Sequence, residues 1–360
     1  MLKITHILYS GLGGTADVCQ ILCKLDKIIQ SKSSLIQVGP KKLSYNLFKP
    51  NNKAHFVKTY RFLTIFYFFQ IFNKIKKEKP NLIFIHNFQI VPILIYKLFF
   101  NKTLKVIYID HTPNQLKTFK DFFVCYCFQK VINFFVVLNK DSYLYLLDKI
   151  GINQSKIKII PNSVNKNFII NIKKKETKKN SLIIGMASRI NKLKRHDLIV
   201  NALEDNELKN FKIKCLFAGE GENINNIKNM IKSKNKFKFY GTLNPRDLKK
   251  WYQSLDVYIQ ATNGEGHSTS ILQAMGMNLP ILASNVSGIK NFLSPKKKIG
   301  FLFENKKKSL IKVMKKFIFM SNLERYNIIK SQKRYVLENY SEEVFLNKYK
   351  KIIKHIIWIF

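Results

Sequence analysis

The 360-residue chain is poor in acidic side chains, with 22 of them against 63 basic ones and a formal net charge of +41 at pH 7. Both halves of the chain share this excess, so the sequence lacks the focused basic stripe of a nucleic-acid-binding domain. Lysine, asparagine, isoleucine and phenylalanine are abundant together, which indicates a drift in composition toward AT-rich codons. This drift explains much of the excess positive charge. The remaining expectation is attraction to anionic lipid or nucleic acid within about 8 Å at physiological salt.

Cysteine is scarce, and no long apolar run occurs. Cys19 and Cys23 are four residues apart and Cys125 and Cys127 flank a tyrosine, but neither pair has zinc-site spacing with a matching second pair. We therefore predict buried thiols and no metal ligands. No apolar run reaches the roughly 18 residues that a membrane helix needs. The N-terminus begins as a strand without the cleavage-site pattern of a signal peptide, which predicts a cytoplasmic protein.

Strand-like and helix-like segments alternate along both halves of the chain. Repeated strand–helix units predict parallel sheets with right-handed crossovers, hence an α/β protein. A lysine-rich run at 173–179 cannot bury a core. The predicted organisation is an N-terminal Rossmann-like domain at 1–165, a hinge at 166–180, a second Rossmann-like domain at 181–340, and a final helix at 341–360, with Ser341 as its N-cap, that packs back on the first domain.

The apolar patterns predict individual elements. In the first half, the predicted strands are 4–9, 34–38, 82–86, 104–109, 134–138 and 157–160, and the predicted helices are 15–30, 60–77, 90–100, 119–131 and 139–150. In the second half, the predicted strands begin at 182–185 and continue with 212–218, 237–240, 256–260 and 280–283.

The most informative stretch runs from Asn263 to Gly288. Glu265 lies between glycines just after an apolar strand, the polar cluster 267–270 begins an apolar helix, and Pro280 ends that helix. A strand, a glycine-rich turn and the exposed amides of a helix start form a natural anion site. A carboxylate in the same turn is better placed to accept hydrogen bonds from hydroxyls. The combination suits a sugar joined to a nucleoside diphosphate.

This stretch resembles the donor-site signature of retaining glycosyltransferases of family 4, whose two Rossmann-like domains face a central cleft (the GT-B architecture). Their pattern is an acid, seven residues, a second acid, then Ala-Met, a small residue, and a Gly two residues before a Pro. The matching positions are Glu265, Ala274, Met275, Gly276 and Pro280. Gln273 replaces the second acid, which in the family binds the ribose, so the resemblance implies a weaker, uncharged contact there. Asn278 replaces the later Gly and tolerates a helix-ending turn.

Further segments match the same family. Gly13 and Gly14 follow the first strand, where the resemblance implies contact with the donor phosphate and the acceptor; a plain tight turn is the alternative. Arg189 and Lys194 follow a strand at the spacing of the family's two phosphate-binding cations, which neutralise the diphosphate leaving group. In so lysine-rich a chain, neighbouring Lys192 and Arg195 are rivals of Lys194; they are the alternatives.

Two strand-end turns and one histidine complete the resemblance. Gly219 and Gly241 belong to turns that line the nucleotide-base pocket in the family. The acids at 220 and 222 are interpreted as solvated loop acids, and the chain has no Asp-x-Asp, so no metal is predicted. His111 follows an N-terminal strand, where the family's histidine meets the donor sugar; a structural hydrogen bond is the alternative. His86 is a second strand-end histidine.

The resemblance implies transfer of a hexose or N-acetylhexosamine from a nucleotide sugar, UDP- or GDP-linked, to a lipid-linked or envelope glycan acceptor, with retention at the anomeric carbon. The donor is a substrate, and no cofactor is predicted. The implied catalytic set is Glu265, His111, Arg189 and Lys194. The implied donor-binding set is Gly13, Gly14, Arg189, Lys194, Gly219, Gly241, Glu265, His267, Ser268, Thr269 and Gln273. Arg189, Lys194 and the helix-start amides would stabilise the departing diphosphate, and Glu265 would hold sugar hydroxyls.

Several alternatives stay open. Gln273 allows a catalytically inactive nucleotide-sugar-binding subunit. The charge suggests a nucleic-acid-binding protein, although no such module signature occurs and no specific nucleic acid is expected as a partner. A phosphorylase on the same architecture would need a cofactor lysine context that the sequence does not offer. The aromatic helix 60–77 either rests on an anionic membrane, at the inner face of the cytoplasmic membrane, or faces the core under the sheet.

Overall fold

The computed structural model describes residues 1–11, 13–39, 53–59, 64–86, 90–172, 181–293 and 299–357. It divides the chain into two compact units: Met1–Asn162 with Glu342–Phe360, and Ser163–Ser341. Each unit has a parallel sheet with helices on both faces, so the prediction of two Rossmann-like α/β domains is confirmed. Among the described residues, no helix combines the length and the apolarity needed to cross a bilayer.

The sheet of the first unit has the order β3-β2-β1-β4-β5-β6-β7, and every neighbouring pair is parallel. Its strands are β1 (Leu2–Tyr9), β2 (Ser31–Gly39), β3 (Lys53–Lys58), β4 (Leu82–Ile85), β5 (Lys105–Asp110), β6 (Phe134–Val137) and β7 (Ile157–Ile159). β4 and β6 are continuous apolar runs, as expected of strands that are buried on both faces. β3 is not among the predicted strands; it pairs only with β2, and lysines occupy both of its ends.

The sheet of the second unit has the order β10-β9-β8-β11-β12-β13, again with parallel neighbours. Its strands are β8 (Ser181–Ala187), β9 (Lys212–Ala218), β10 (Phe237–Phe239), β11 (Val257–Gln260), β12 (Ile281–Ser284) and β13 (Phe301–Phe303). Strand order reverses around β8, whose two neighbours are β9 and β11. In an open α/β sheet, ligands bind beyond the carboxyl ends of the strands at such a switch point.

The helices cover both faces of each sheet. In the first unit they are α1 (Gly14–Leu22), α2 (Leu25–Ile28), α3 (Thr64–Glu78), α4 (Val91–Phe99), α5 (Phe119–Phe128) and α6 (Lys140–Leu144), which continues as a π-helical turn (Tyr145–Lys149). In the second unit they are α7 (His196–Leu203), α8 (Ile224–Asn229), α9 (Pro245–Gln253), α10 (Thr269–Gly276), α11 (Lys307–Ile318) and α12 (Asn322–Tyr340). The chain returns to the first unit with α13 (Glu342–Ile357).

The last helix, α13, is part of the core of the first unit. Its buried face includes Phe345 and Tyr349, and the Tyr349 ring lies 5.9 Å from the ring of Phe84 on β4. Lys24 Nζ lies 2.5 Å from a carboxylate oxygen of Glu342 at the start of the helix. Residues 342–357 therefore cover one face of the first sheet, together with α1.

The two units divide after Asn162, ahead of the predicted hinge at 166–180. Val164 and Phe168 are buried in the core of the second unit, and the Val164 amide donates to the Tyr340 carbonyl oxygen at 2.8 Å. Burial of these apolar side chains commits the segment before residue 173 to the second unit. The remaining part of the predicted hinge, 173–180, lies outside the described residues, as do Leu12 of the first glycine loop and residues 60–63 of the predicted aromatic helix.

Candidate functional site

A lysine and a carboxylate meet at the switch point of the second sheet. Lys194 Nζ donates to Glu265 Oε2, although 71 residues separate them in the sequence, and their side chains are 15% and 17% exposed. The loop after β8 is fixed on the loop after β11, because the Asn263 amide donates to the Leu193 carbonyl oxygen at 2.9 Å. Half-buried charges with one hydrogen bond between them retain further hydrogen-bonding capacity: Nζ has three donors, and the carboxylate has a second oxygen.

The two rivals of Lys194 have other positions. Arg195 donates to both carboxylate oxygens of Asp197, at 2.8 to 3.0 Å, and its Nη1 lies 3.4 Å from the side-chain oxygen of Asn263. Lys192 is exposed. Within the part of the chain that the structure describes, Lys194 is the member of this cluster that contacts Glu265.

Gly288 holds the backbone of Glu265 in place. Its φ is 80°, in the left-handed region that favours glycine, and a Cβ at this position would collide with the carbonyl oxygens of Glu265 and Gly266. The loop after β12 therefore packs directly against the peptide that carries the carboxylate. No local pattern indicates this role of Gly288, because its contact partner lies 23 residues earlier in the chain.

Arg189 lies in a loop that packs against one glycine turn. The Ser188 amide donates to the Ala218 carbonyl oxygen at 3.0 Å, and the Ile190 amide donates to the Glu220 carbonyl oxygen at 2.9 Å. A Cβ on Gly219 would collide with the Ser188 carbonyl oxygen, and a Cβ on Gly221 would collide with the Ile190 carbonyl oxygen. Arg189 itself is exposed and lies just beyond the end of β8.

The predicted pair of glycine turns is joined as well. The Gly219 amide donates to the Gly241 carbonyl oxygen at 2.7 Å, and Gly241 has a φ of 65°. The carboxylate of Glu220 lies 3.4 Å from the Thr242 amide of the second turn. The structure thus brings both glycine turns beside the Arg189 loop.

His196, which no motif indicated, links the two ends of the β8–α7 loop that carries both cations. Its Nδ1 donates to the Lys194 carbonyl oxygen, and its Nε2 lies 3.4 Å from Ser188 Oγ. The ring packs edge-on against Phe217, with centroids 5.1 Å apart. Burial lowers the pKa of His196 to about 4, so the ring is neutral at pH 7 and fits one donor and one acceptor contact. A histidine at a helix start, directly after two cations, is the sequence signal that could have identified it.

The start of α10 combines capping with buried side chains. Ser268 Oγ accepts from the Ile271 amide at 3.3 Å, and Thr269 is half-buried at the first helical position. The His267 ring packs 4.8 Å from Phe292 and 5.0 Å from Tyr340, measured between centroids. The Gln273 side-chain oxygen accepts from the buried Tyr252 hydroxyl at 3.2 Å. The His267 ring and the Gln273 amide therefore also serve the core of this unit.

Packing explains why Gly276 fills the small-residue position of the donor-site signature, and backbone conformation explains why Asn278 can replace its later glycine. A Cβ on Gly276 would collide with the Phe168 carbonyl oxygen, so only glycine lets that segment pack on the end of α10. Asn278 has a φ of 61°, which confirms that it replaces glycine in a helix-ending turn. Its amide nitrogen donates to the Asn171 carbonyl oxygen at 2.9 Å.

The predicted residues of the first unit lie at the carboxyl ends of its strands. Gly13 is the N-cap of α1, and Gly14 is the first residue of that helix. His111 is half-buried after β5, and its Nε2 lies 3.2 Å from Nδ1 of His86. Asp110 forms a buried 2.7 Å ion pair with Lys117, which fixes the loop that carries His111. Burial raises the pKa of the Asp110 carboxyl, and Lys117 opposes that shift.

One group among the described residues has three side chains with metal-ligand chemistry close together. His6, Cys19 and His86 are buried, and one ligand atom from each lies within 4.8 Å of the others. Nδ1 of His6 lies 3.3 Å from Nε2 of His86, a hydrogen-bond distance. The acids at 220 and 222 do not belong to any such group within the described ranges.

Part of the second unit matches the model of a known protein family. Residues 167–336 match the family model described as "Glycosyl transferases group 1". That segment lies inside the second unit and contains Arg189, Lys194 and Glu265. The second unit therefore carries a glycosyl transferases group 1 domain.

The chain is also similar to curated proteins and to solved structures. The chain is 29% identical to Protein CapJ of Staphylococcus aureus over 58% of its own length and 54% of that protein. It is 24% identical to the O-antigen biosynthesis glycosyltransferase WclY of Escherichia coli over 41% of each protein. The chain thus spans about half the length, or less, of these relatives. The crystal structure of Anabaena Alr3699/HepE in complex with UDP and glucose has a TM-score of 0.83 at 13% identity, over 99% of this chain and 100% of that one, which shows a shared fold.

Proposed function

We propose that this protein is a glycosyltransferase that moves a hexose or N-acetylhexosamine from a UDP- or GDP-linked donor to a lipid-linked or glycan acceptor of the cell envelope. The observation that carries the proposal is the contact of Lys194 with Glu265 at the switch point of the second sheet. The group 1 domain supports it, as do relatives named for O-antigen biosynthesis and a fold neighbour crystallised with UDP and glucose.

The contact explains how one small site serves both parts of a nucleotide sugar. Lys194 Nζ can keep one hydrogen bond to Glu265 and direct its other donors to phosphate oxygens. Glu265 keeps acceptor capacity for sugar hydroxyls, and this hydrogen-bonded link fixes the pyranose relative to the diphosphate. Arg189 adds a planar, bidentate donor for the phosphates at the neighbouring strand end. Each oriented cation or amide that stabilises the departing diphosphate contributes about 3–4 kcal/mol.

We propose retention by a front-face displacement without a metal. The acceptor oxygen bonds to the anomeric carbon as the bond to the diphosphate breaks, and the departing phosphate oxygen takes the acceptor proton. Lys194, Arg189 and the first amides of α10 supply the positive charge that this leaving group needs. Glu265 holds hydroxyls and needs no covalent bond to the sugar, because the acceptor oxygen itself attacks the anomeric carbon.

The test screens UDP-, GDP- and ADP-sugars for release of free nucleoside diphosphate with and without candidate acceptors. Glu265→Gln and Lys194→Ala should each lower the rate by about a hundredfold or more, because each removes an oriented charge. Lys192→Ala and Glu343→Gln are the matched controls, since both residues are exposed. Wild-type rates in both site variants would contradict the site assignment.

The same screen separates the enzyme from an inactive donor-binding subunit. Tight nucleotide-sugar binding without transfer to any acceptor would favour the subunit. Gln273→Glu then tests whether a charged group beside the Tyr252 hydroxyl restores transfer. Binding to an oligonucleotide that survives high salt, without any nucleotide-sugar binding, would favour a nucleic-acid-binding protein instead.

We further propose that the first unit docks on an anionic membrane surface, at the cytoplasmic side where nucleotide sugars are made. α3 buries Ile71 and Ile75 in the core, whereas Phe66 and Phe69 on the same helix are 57% and 64% exposed and support the membrane alternative. The neighbouring helix α4 exposes Phe99 at 77%.

The apolar side chains of α3 and α4 belong to one surface with basic residues beside it. Ring contacts join the helices, with Phe72 and Phe100 centroids 5.4 Å apart. Lys76 Nζ lies 5.0 Å from the Phe100 ring centre, and Lys77 and Lys102 are exposed. Aromatic side chains flanked by lysines are typical of a helix face that lies in the interface of an anionic bilayer.

Vesicle co-sedimentation tests this docking surface. The double variant Phe66→Ser/Phe69→Ser should bind phosphatidylglycerol-containing vesicles at least about tenfold more weakly, because each phenylalanine contributes about 1.5–3 kcal/mol when it leaves water. Leu323→Ser removes an equally exposed apolar side chain from the second unit and should have no effect. Absence of binding by the wild-type protein at low salt would overturn the proposal.

A further inference from the structure

Three histidines on neighbouring strands of the first unit form a continuous chain. His6 lies within β1, His86 follows β4 and His111 follows β5, and these strands are adjacent in the sheet. Nδ1 of His6 lies 3.3 Å from Nε2 of His86, and Nδ1 of His86 lies 3.2 Å from Nε2 of His111. The last two rings are stacked, with an interplanar angle of 14°. The chain leads from the fully buried His6 to the half-buried His111 at the strand ends.

All three rings are neutral at pH 7. Burial lowers the pKa of His6 to about 3 and that of His111 to about 4. Burial, followed by repulsion from its two histidine neighbours, also holds the pKa of His86 well below its usual value. A neutral imidazole has one donor and one acceptor nitrogen. Two hydrogen bonds in series therefore allow only two arrangements, with all protons directed outward or all directed inward.

The buried end of the chain selects between these two directions. His6 Nε2 is fully buried and has no hydrogen-bond partner among the described residues. With inward protons, this atom would be an N–H without an acceptor; a buried donor or acceptor without a partner costs about 1–3 kcal/mol in either arrangement. With outward protons, it is an unshared lone pair, and buried acceptors without a partner are tolerated more often than buried donors. The outward arrangement is therefore favoured.

We propose that His6 and His86 are positioning residues that hold His111 in the tautomer with its proton on Nδ1. His86 Nδ1–H donates to His111 Nε2, so that nitrogen cannot accept a proton from a substrate. His111 Nδ1–H is then the donor for a hydroxyl oxygen of the bound sugar. This last step rests on the proposed function, whereas the tautomer of His111 does not. His111 is then a neutral hydrogen-bond donor and does not act as a general base through Nε2.

A metal ion at His6, Cys19 and His86 is the competing explanation. It would take the lone pairs of the histidine nitrogens and the thiolate of Cys19, and it would break the 3.3 Å contact between the two rings. The direct hydrogen-bond distance between Nδ1 of His6 and Nε2 of His86 leaves no room for an ion between these two atoms. The observations thus favour the hydrogen-bonded chain.

The experiment compares His86→Asn with His86→Leu. An asparagine amide can replace Nδ1–H of His86 and donate to His111, whereas leucine cannot. Long-range ¹⁵N–¹H correlation spectra of ¹⁵N-histidine-labelled protein, assigned with His111→Phe, report the tautomer directly. We expect the Nδ1–H form of His111 in the wild type and in His86→Asn, and a mixture of both tautomers in His86→Leu. An Nε2–H form of His111 in the wild type would overturn the proposal.

Activity and metal content provide two independent readouts. With the donor identified by the screen, kcat should fall about tenfold in His86→Leu and stay within about twofold in His86→Asn, because only the first releases the ring. One equivalent of zinc or copper in purified protein, absent from Cys19→Ser, would replace the hydrogen-bonded chain by a metal site. If no donor supports transfer, the proposed function fails, but the spectra still decide the tautomer.

Discussion

Lys117 carries a charge into the interior of the first unit, beside the loop that holds His111. The side chains of Lys117 and Asp110 are 4% and 3% exposed, and their charged atoms are 2.7 Å apart. Lys117 also donates to the Asn114 side-chain oxygen at 2.8 Å and lies over the Tyr145 ring at 4.2 Å. A buried ion pair with these additional partners fixes a loop more than it stabilises a fold, because desolvation offsets much of its attraction.

Asp110→Asn should lower the free energy of unfolding by about 3–5 kcal/mol, because it leaves the Lys117 charge buried without its counter-ion. The substitution keeps the side-chain shape, and the asparagine oxygen can still accept from the Thr112 amide. Urea unfolding measures the change. Asp197→Asn is the matched control: its partner Arg195 is 27% exposed, so the loss there should be at most about 1 kcal/mol.

A double substitution separates the charge from the packing. Asp110→Leu/Lys117→Met removes both charges, and it should recover most of the stability that Asp110→Asn loses. If Asp110→Asn is no less stable than Asp197→Asn, the pair is not buried in solution as it is in the structure.

At this scale, the sequence indicates which residues carry the chemistry but not which residues they contact. Glu265 and Lys194 were identified from separate motifs, and their contact depends on how loops 71 residues apart pack together. Arg195 could not be separated from Lys194 by sequence, since only the fold shows that Asp197 binds it. His196 had no motif of its own. Whether the selected residues bind a donor stays a prediction that the variants above test.

At the scale of elements, apolar patterns located strands better than they located breaks in helices. The predicted strand at 212–218 agrees with β9, and the other predicted strands lie within a few residues of those observed. The predicted helix 15–30 instead ends at Leu22 and resumes at Leu25. β3 and β13 are not among the predicted strands, and an edge position is not the reason, since β7 and β10 are edge strands that were predicted. β3 has lysines at both ends of a short apolar stretch, and β13 has only three residues.

The loop after β12 shows how an element end controls the site. Gly288 contacts the Glu265 peptide without leaving space for a side chain, and its φ of 80° adds a second reason for glycine. Gly151 has a similar φ of 76°, but a Cβ there would meet no atom within 4 Å. An alanine would therefore strain the backbone at both positions but would collide with a neighbouring atom only at position 288.

Gly288→Ala should cost more stability than Gly151→Ala, and it alone should impair the site. The left-handed backbone costs about 1–2 kcal/mol in both variants. In Gly288→Ala, the collision with the Glu265 carbonyl must in addition displace the carboxylate, which should lower donor turnover by about a hundredfold. Thermal unfolding and nucleoside diphosphate release measure the two effects. Equal turnover in both variants would show that the Glu265 peptide can move without consequence.

At the scale of the whole molecule, two features should destabilise the fold at acid pH: the excess of basic side chains and the buried neutral histidines. The net charge of +41 already opposes compaction by self-repulsion. Burial lowers the pKa of His6, His111 and His196 to about 3, 4 and 4, whereas an unfolded histidine titrates near 6.5. A group whose pKa is lower in the folded state contributes its full stability at pH values above its unfolded-state pKa. That contribution is lost as the pH falls from the unfolded-state pKa toward the folded-state pKa.

The free energy of unfolding should therefore fall by about 1 kcal/mol for each of these histidines between pH 7 and about 5.5, because only the unfolded chain takes up their protons. Urea unfolding at both pH values measures the loss. High salt screens surface repulsion but not burial, so the loss should persist there if the histidines cause it. His196→Asn should reduce the pH-dependent loss by about 1 kcal/mol whatever its stability at pH 7, since one titrating group is gone. A loss that disappears in salt and is unchanged in His196→Asn would instead assign acid sensitivity to the net charge.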